Sequence, residues 1–399
     1  MNIAIAIESF YGGGAEMAAI RLANALSRTS NKIHFIELES PNTSSAAQRK
    51  EISSEITLYR PDRQWQLISM KKLGFLFPWW KKSWKNIYAS IKAKLVKRYL
   101  QRYQIEVINT HYIFTDEYFG YHKQNNQKIV ASFHGHYELF DHSFLGEGYR
   151  ERIEGILKNL DHIVITSPRH ENTMKTYAIS KNRYSRINYC LDRKHSESQT
   201  INRSDPEIRI CVVSRAIKEK GWREMMDAII ELDKKYPGNV HLVLVGEGEE
   251  LEGWRQRYDH HNFIRFTGFL DQKEISSILV ESDVAVLPTY YKAESMPNSI
   301  IEYLAHSKPV IASDIGSIRY MLSTEEGDVA GTLIPMQGDT IDQNELIKAI
   351  ELYIEQPGLI SEKAVIAKKA FEKFDANQNA AKYLELFQPI ILTPEKQTA

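Results

Sequence analysis

Short apolar runs alternate with amphipathic stretches along almost the whole chain. Runs of β-branched and aliphatic residues at 2–8, 33–38, 105–110, 128–133 and 161–166 predict strands, and helical spacing of apolar positions predicts helices at 15–28, 85–103, 146–159 and 168–178. A second series follows, with strands expected at 208–214, 240–246, 262–267, 283–288 and 309–313. Its helices are expected at 221–235, 271–281, 297–306, 342–354, 358–373 and near 376–388. Between the two series, Cys190 to Pro206 reads CLDRKHSESQTINRSDP, a polar stretch without periodicity that closes on Asp205-Pro206. Strands that alternate with helices predict a parallel sheet covered on both faces. The pattern therefore predicts an α/β protein of two doubly wound domains, 1–190 and 208–375, joined by a linker at 191–207. Ligands are expected at the carboxyl ends of the strands.

Composition narrows the partners more than the fold. The length of 399 residues suits two domains of ordinary size. Lys+Arg and Asp+Glu are both 51, so no global field points to nucleic acid. Cys190 and Cys211 offer neither a disulfide framework nor a zinc site, which fits a reducing cytoplasm. The opening MNIAIAIES lacks a basic n-region and reads as a first strand rather than a signal peptide. No apolar run approaches the length of a membrane span. A cytoplasmic protein is expected, soluble or peripheral at the inner face of the membrane.

Candidate chemistry gathers where strands end. The densest stretch, PTYYKAESMPNSIIEYLAHSKPVIASDIGSIRYML, runs from Pro288 to Leu322 and carries Glu294 and Glu302 with seven residues between them. Ser295 or Asn298 is placed to cap the helix between the two strands, and the N–H groups of its first turn form an anion site. Glu302, a turn in, can accept from two adjacent hydroxyls such as those of a ribose. On spacing alone, a pair of solvated helix glutamates explains the pattern equally well. The first strand ends in Ser9-Phe-Tyr-Gly-Gly-Gly-Ala-Glu16, whose glycines let the backbone approach a ligand, although a plain tight turn uses the same string. Strand 128–133 runs into His134-Gly-His136, too thin a start for a metal site even with Glu138. His134 directly follows the strand and is the expected cleft residue; His111 is expected to line the cleft from another strand. Val243-Leu-Val-Gly246-Glu-Gly248 imitates a dinucleotide fingerprint but lacks its third glycine, and Glu247, Glu249 and Glu250 would repel a pyrophosphate.

Taken together, E-x7-E, a small-residue helix, a P-V-I-A strand and D-I-G-S resemble the donor-site signature of family 4 glycosyltransferases. The resemblance implies the GT-B fold, two Rossmann-like domains facing across a cleft, with residues 376–399 forming a helix that crosses back to the first domain and a tail. It also implies retaining, metal-independent transfer from a nucleoside diphosphate sugar, UDP- or GDP-linked, with no further cofactor. Gly13, Gly14 and Glu16 match the loop between donor phosphate and acceptor, and His134 matches the histidine beside the transferred sugar. Arg215 and Lys220, at the end of strand 208–214, match the diphosphate clamp. With no D-x-D in the chain, a forked and a point cation would stabilise the leaving group in place of a metal. Gly246 falls in the loop lining the nucleotide pocket, and Gly268 and Leu270 fall in the loop facing the base. Glu302 would hold the ribose. Glu294, with the backbone from Met296 through Pro297 and Asn298 to Ser299, would hold the sugar, so that His134 and Glu294 flank the reaction centre. Ser295-Met-Pro-Asn298 departs from the aromatic or glycine residues that many members carry there. A nucleotide-sugar epimerase or hydrolase on the same fold would turn over without an acceptor, and a non-catalytic scaffold would bind donor without turnover.

The least ordinary composition lies between Arg63 and Tyr103, which holds no Asp or Glu and four of the six tryptophans. Trp79, Trp80, Lys81, Lys82, Trp84 and Lys85 lead into a helix with Ile87, Tyr88, Ile91, Leu95 and Tyr99 on one face. Packing on the domain with a solvated lysine face explains this segment. Docking on an anionic membrane surface explains the tryptophans as well, and fits a lipid-linked or cell-envelope glycan as acceptor.

Overall fold

A computed structural model describes residues 1–11, 13–41, 46–65, 67–69, 81–124, 126–135, 147–192 and 207–388, the side chains of 81–84 excepted. Trp79, Trp80, His136 and Glu138 lie outside the described residues, as do the side chains of Lys81, Lys82 and Trp84.

The first sheet contains β1 (Asn2–Ile7), β2 (Lys32–Glu37), β3 (Thr57–Tyr59), β4 (Val107–His111), β5 (Lys128–Phe133), β6 (His162–Ile165) and β7 (Tyr184–Arg186). Their order is β3-β2-β1-β4-β5-β6-β7, every pair parallel. The strands read as apolar runs because both faces are covered. Ala4, Ala6, Ile108 and Ala131 face one layer, while Ile3, Ile5, Val107 and Val130 face the other. The strand order reverses between β1 and β4, which opens a crevice at their carboxyl ends.

The second sheet repeats the plan with β8 (Ile208–Val213), β9 (Val240–Val245), β10 (Ile264–Gly268), β11 (Val284–Leu287), β12 (Val310–Ser313) and β13 (Gly331–Ile334). The order β10-β9-β8-β11-β12-β13 is again fully parallel, with its switch point between β8 and β11. The fold is thus α/β with two doubly wound Rossmann-like domains.

The chain crosses between the sheets twice, side by side. The Leu191 N–H donates to the Phe374 carbonyl at 2.9 Å, and Leu191 bridges to Asp375. Beyond that point the helix Ala376–Phe387 lies on the first sheet, where Ala376, Ala380, Tyr383 and Phe387 share a core with Ile3, Ile5 and Val130. Tyr383 Oη meets Ser132 Oγ at 2.9 Å.

The helix Lys81–Arg102 packs through its C-terminal half. Val96, Tyr99 and Leu100 are buried, and the Tyr99 ring stacks on Tyr59 at 3.8 Å. Ile87, expected on the packed face, is turned outward and 47% exposed. Lys92, expected on the solvated face, is folded in, paired with Glu39 and held 5.7 Å from the Tyr118 ring. The apolar stripe read from 87 to 99 is therefore rotated by the aromatic stack that anchors Tyr99.

Candidate active site

Two buried charges meet at the carboxyl end of the second sheet. The chain leaves β8, makes a short turn at Lys218–Lys220, and enters the helix Trp222–Lys235 through Gly221, whose φ is +73°. A Cβ on Gly221 would lie 2.1 Å from the Pro288 carbonyl oxygen, so this approach of the β8 and β11 loops needs glycine. The Tyr290 N–H donates to the Glu219 carbonyl at 2.8 Å and completes the splice. The Lys220 ammonium is thereby held against Glu294 Oε2, with Thr289 Oγ1 3.0 Å from the same oxygen. Lys220 is 8% and Glu294 6% exposed. Tyr291 lies beneath both candidate clamp cations, its ring centre 5.2 Å from Lys220 Nζ and 5.9 Å from the Arg215 guanidinium. Arg215 and Lys220 thus share one aromatic ring, and Lys220 ties Glu294 to the same group. Gly316, with φ of +61°, passes so near that a Cβ would lie 2.2 Å from the Glu294 carbonyl oxygen.

The helix Asn298–Ala305 begins at Pro297 without a side-chain cap. The capping expected of Ser295 or Asn298 is not made, because both side chains reach the first domain instead. Ser295 Oγ meets His170 Nε2 at 2.8 Å. Asn298 Nδ2 donates to the Gly14 carbonyl at 2.9 Å, and Asn298 Oδ1 accepts from Arg21 at 3.1 Å. The same guanidinium pairs with Glu302, both side chains 8% exposed. Ser167 and Ser317 join hydroxyls across the same seam. Met296 is buried beneath the turn, and Ser299 is half-buried at its start.

The loops that carry Gly246 and Gly268 also come together. The Gly246 N–H donates to the Gly268 carbonyl at 2.9 Å. Leu270 follows, half-buried, at the edge of an interdomain cavity of about 330 Å³ lined by Arg21, Asn24, Arg28, Asp271, Gln272 and Lys273.

In the first domain Glu16 is buried and folds back on the glycine loop. A Cβ on Gly13 would lie 2.6 Å from its Oε2. Burial raises its pKa above the ordinary carboxylate range, against the lowering effect of the Tyr11 and Gly13 N–H groups and of Arg215 across the cleft. Tyr112, directly after β4, holds φ at +98°, a backbone state that costs about 1–3 kcal/mol and concentrates at working sites. Burial, then Glu16 and Glu8, raise its phenol pKa. His134 sits at the end of β5, partly exposed, between His111 and Tyr189, and burial lowers its pKa to about 3. His111, expected at the cleft, is 2% exposed and reaches it through His134.

Sequence reasoning missed Arg21, Tyr112, Thr289, His170 and Tyr291. Tyr291 sits in the P-T-Y-Y string just ahead of Glu294 and was findable there. Arg21 is a single basic residue in an alanine-rich helix, and nothing local announces its partner 281 residues on. Among the described residues, no three His, Cys, Asp or Glu side chains converge as a metal ion would require.

The family described as "Glycosyl transferases group 1" matches residues 207–356, and "Glycosyltransferase Family 4" matches 12–194. The chain belongs to the group 1, family 4 glycosyltransferases of GT-B fold. This family member is 29% identical over 170 residues to a phosphatidylinositol N-acetylglucosaminyltransferase subunit of Homo sapiens, a match covering 42% of this chain and 34% of the relative. It is 26% identical over 171 residues to phosphatidyl-myo-inositol mannosyltransferase of Mycolicibacterium smegmatis, covering 43% and 42%. The chain therefore spans less than half the length of these curated relatives. Solved structures align over nearly all of it. Sucrose-phosphate synthase from Thermosynechococcus elongatus gives a TM-score of 0.69 at 21% identity over 97% of this chain and 98% of that one. Anabaena HepE in complex with UDP gives 0.70 at 17% identity over 97% and 100%. At such identities the likeness is one of fold.

Proposed function

We propose that this protein transfers a sugar from a nucleoside diphosphate sugar, UDP- or GDP-linked, to a hydroxyl acceptor, with retention at the anomeric carbon and without a metal ion. The observation that carries this reading is the meeting of Arg215 and Lys220 on the Tyr291 ring, with Glu294 paired to Lys220 and Glu302 one helix turn beyond Asn298. Lys220 has three N–H donors; Glu294 takes one, and the others are assigned to the diphosphate with Arg215. Both donors to Glu294 use Oε2, so Oε1 is assigned to a sugar hydroxyl. Glu302 is assigned to the ribose. The bond from the anomeric carbon to the phosphate oxygen breaks as the bond to the acceptor oxygen forms on the same face, and the acceptor proton passes to the leaving phosphate. HepE, whose structures hold UDP and UDP-glucose, supports the donor class.

A thermal-shift screen of UDP, GDP, ADP, CMP and their sugars without metal tests this. Stabilisation by one nucleotide, lost in Glu302→Gln, is the expected result, followed by a product whose anomeric configuration by NMR equals that of the donor. Folded protein that responds to none of them, or an inverted product, refutes the proposal.

A lipid-linked or cell-envelope acceptor, met at the inner face of the membrane, is the second part of the reading. Exposed Lys85, Lys94, Lys97, Arg98 and Arg102 beside exposed Ile87 support it. Among the described residues no helix is long and apolar enough to cross a membrane. Co-sedimentation with anionic vesicles and not with neutral ones is the expected result.

A further inference from the structure

The first domain reaches the donor side of the second through one helix. In the helix Gly14–Ser27, the positions Gly14, Ala18 and Arg21 fall on one face by their i, i+4, i+7 spacing. Small residues bring that face close. Ala18 is 4% exposed and shares a core with Met296, Ile300 and Ile301 of the second domain. A Cβ on Gly14 would lie 2.9 Å from Asn298 Nδ2. Arg21, the long residue of this face, lies across three parts of the proposed donor cradle. One guanidinium nitrogen donates to Asn298 Oδ1 at 3.1 Å, and another to Gln272 Oε1 at 3.4 Å and to Glu302 Oε1. A guanidinium and a ribose diol make a carboxylate the same offer, two donors side by side. The side chains of Arg21 and Glu302 are each 8% exposed, so a diol has no open path to the oxygen that Arg21 holds. The interdomain cavity of about 330 Å³ stops at this pair, since Arg21 lines it and Glu302 does not. The Gly14 carbonyl stands at the first turn of the helix Asn298–Ala305, where an incoming phosphate would meet an acceptor like itself.

We infer that Arg21 is an internal substitute for the nucleoside: it fills the ribose position of the donor-free protein, and a donor enters only when the helix Gly14–Ser27 lifts from the second domain. The crossings at Leu191 and at Phe374–Asp375 lie side by side, so the seam can part about them as about a hinge. Neutral contacts, Ser295 to His170 and Ser167 to Ser317, close the same seam beside the Arg21–Glu302 ion pair. The inference rests on the assignment of Glu302 to the ribose in the preceding subsection.

Ser167 and Ser317 offer the test, because their hydroxyls meet across the seam. The full-length double variant Ser167→Cys/Ser317→Cys, oxidised to a disulfide, holds the seam shut, and dithiothreitol releases it. Cys190 and Cys211 are buried and do not compete for the bridge. Calorimetry with UDP and with GDP is expected to show affinity lower by roughly 10-fold or more in the oxidised protein, and recovered on reduction. In Arg21→Met, otherwise unaltered, the same titration is expected to show roughly 10-fold tighter binding, because the plugged form no longer competes. Equal affinity before and after reduction overturns the entry requirement. Unchanged or weaker binding in Arg21→Met overturns the plug, since a ribose that shares Glu302 with Arg21 gives that result. The disulfide comparison leaves Arg21 in place, so it decides entry even where Arg21→Met does not fold. A reduced protein that binds neither nucleotide refutes the donor reading itself, so the two fail separately.

Discussion

Replacing Lys220 by methionine keeps most of the stem volume and removes the cation from Glu294. The carboxylate is 6% exposed and would retain only the Thr289 hydroxyl. An orphaned buried charge of this kind costs about 3–5 kcal/mol. Glu294→Gln leaves the ammonium facing an amide oxygen and is expected to cost about 2–4 kcal/mol. The double variant orphans nothing, because a methionine faces a neutral amide, so it should cost scarcely more than the milder single. The coupling energy between the two positions then comes to about 2–4 kcal/mol. Stability of the second domain can be read from native-state hydrogen exchange of slow amides in β8 and β11, whose residues lie at the centre of its core. Additivity of the two substitutions within about 0.5 kcal/mol would refute the claim that Lys220 and Glu294 fold as one unit.

Arg21→Ala frees the Glu302 carboxylate that the proposed ribose contact requires. The affinity for nucleotide by calorimetry is expected to rise by about 5- to 30-fold, since charge-assisted hydrogen bonds contribute about 1–2 kcal/mol each; weaker binding would show that Arg21 supports the donor. Gly316→Ala forces a Cβ toward the Glu294 carbonyl from a left-handed backbone, and is expected to cost about 1–3 kcal/mol of stability in urea unfolding and to depress transfer. Burial holds His134 and His170 at pKa values of about 3 and His162 at about 4, so all three are neutral when folded. The unfolded chain takes up those protons below about pH 6.5, so this stability is complete above 6.5 and is lost as pH falls toward about 4 for His162 and about 3 for His134 and His170. Three such groups contribute about 6 kcal/mol of loss at pH 5, and His162→Asn should flatten the slope by about 1.4 kcal/mol per pH unit.

The central strands were legible because strands buried on both faces are written as apolar runs. β3, β7 and β13 were not, and each is an edge strand with partly exposed residues and too few apolar positions to signal a strand. The short helices Ile113–His122 and Ile318–Leu322 were missed for the same lack of a repeating face. In the candidate site, the residues of one loop could be read as a group. What could not be read were pairings across the cleft: Ser295 and Asn298 fit the local rule for a helix cap, yet His170, Gly14 and Arg21 claim them. A local rule lost to partners that only the docking of two sheets supplies.

The return of the chain to its first domain has a consequence for synthesis. Four side chains of the first domain's core, from Ala376 to Phe387, leave the ribosome only after the whole second domain has been made. The second domain can close early, since its strands and their covering helices are contiguous in sequence. The first must wait, its β1 and β5 surfaces uncovered through nearly all of translation. The nascent protein is therefore expected to need shielding at its beginning rather than at its end, and ribosome-bound chains stopped before residue 376 should be cut by protease in the first domain while the second resists.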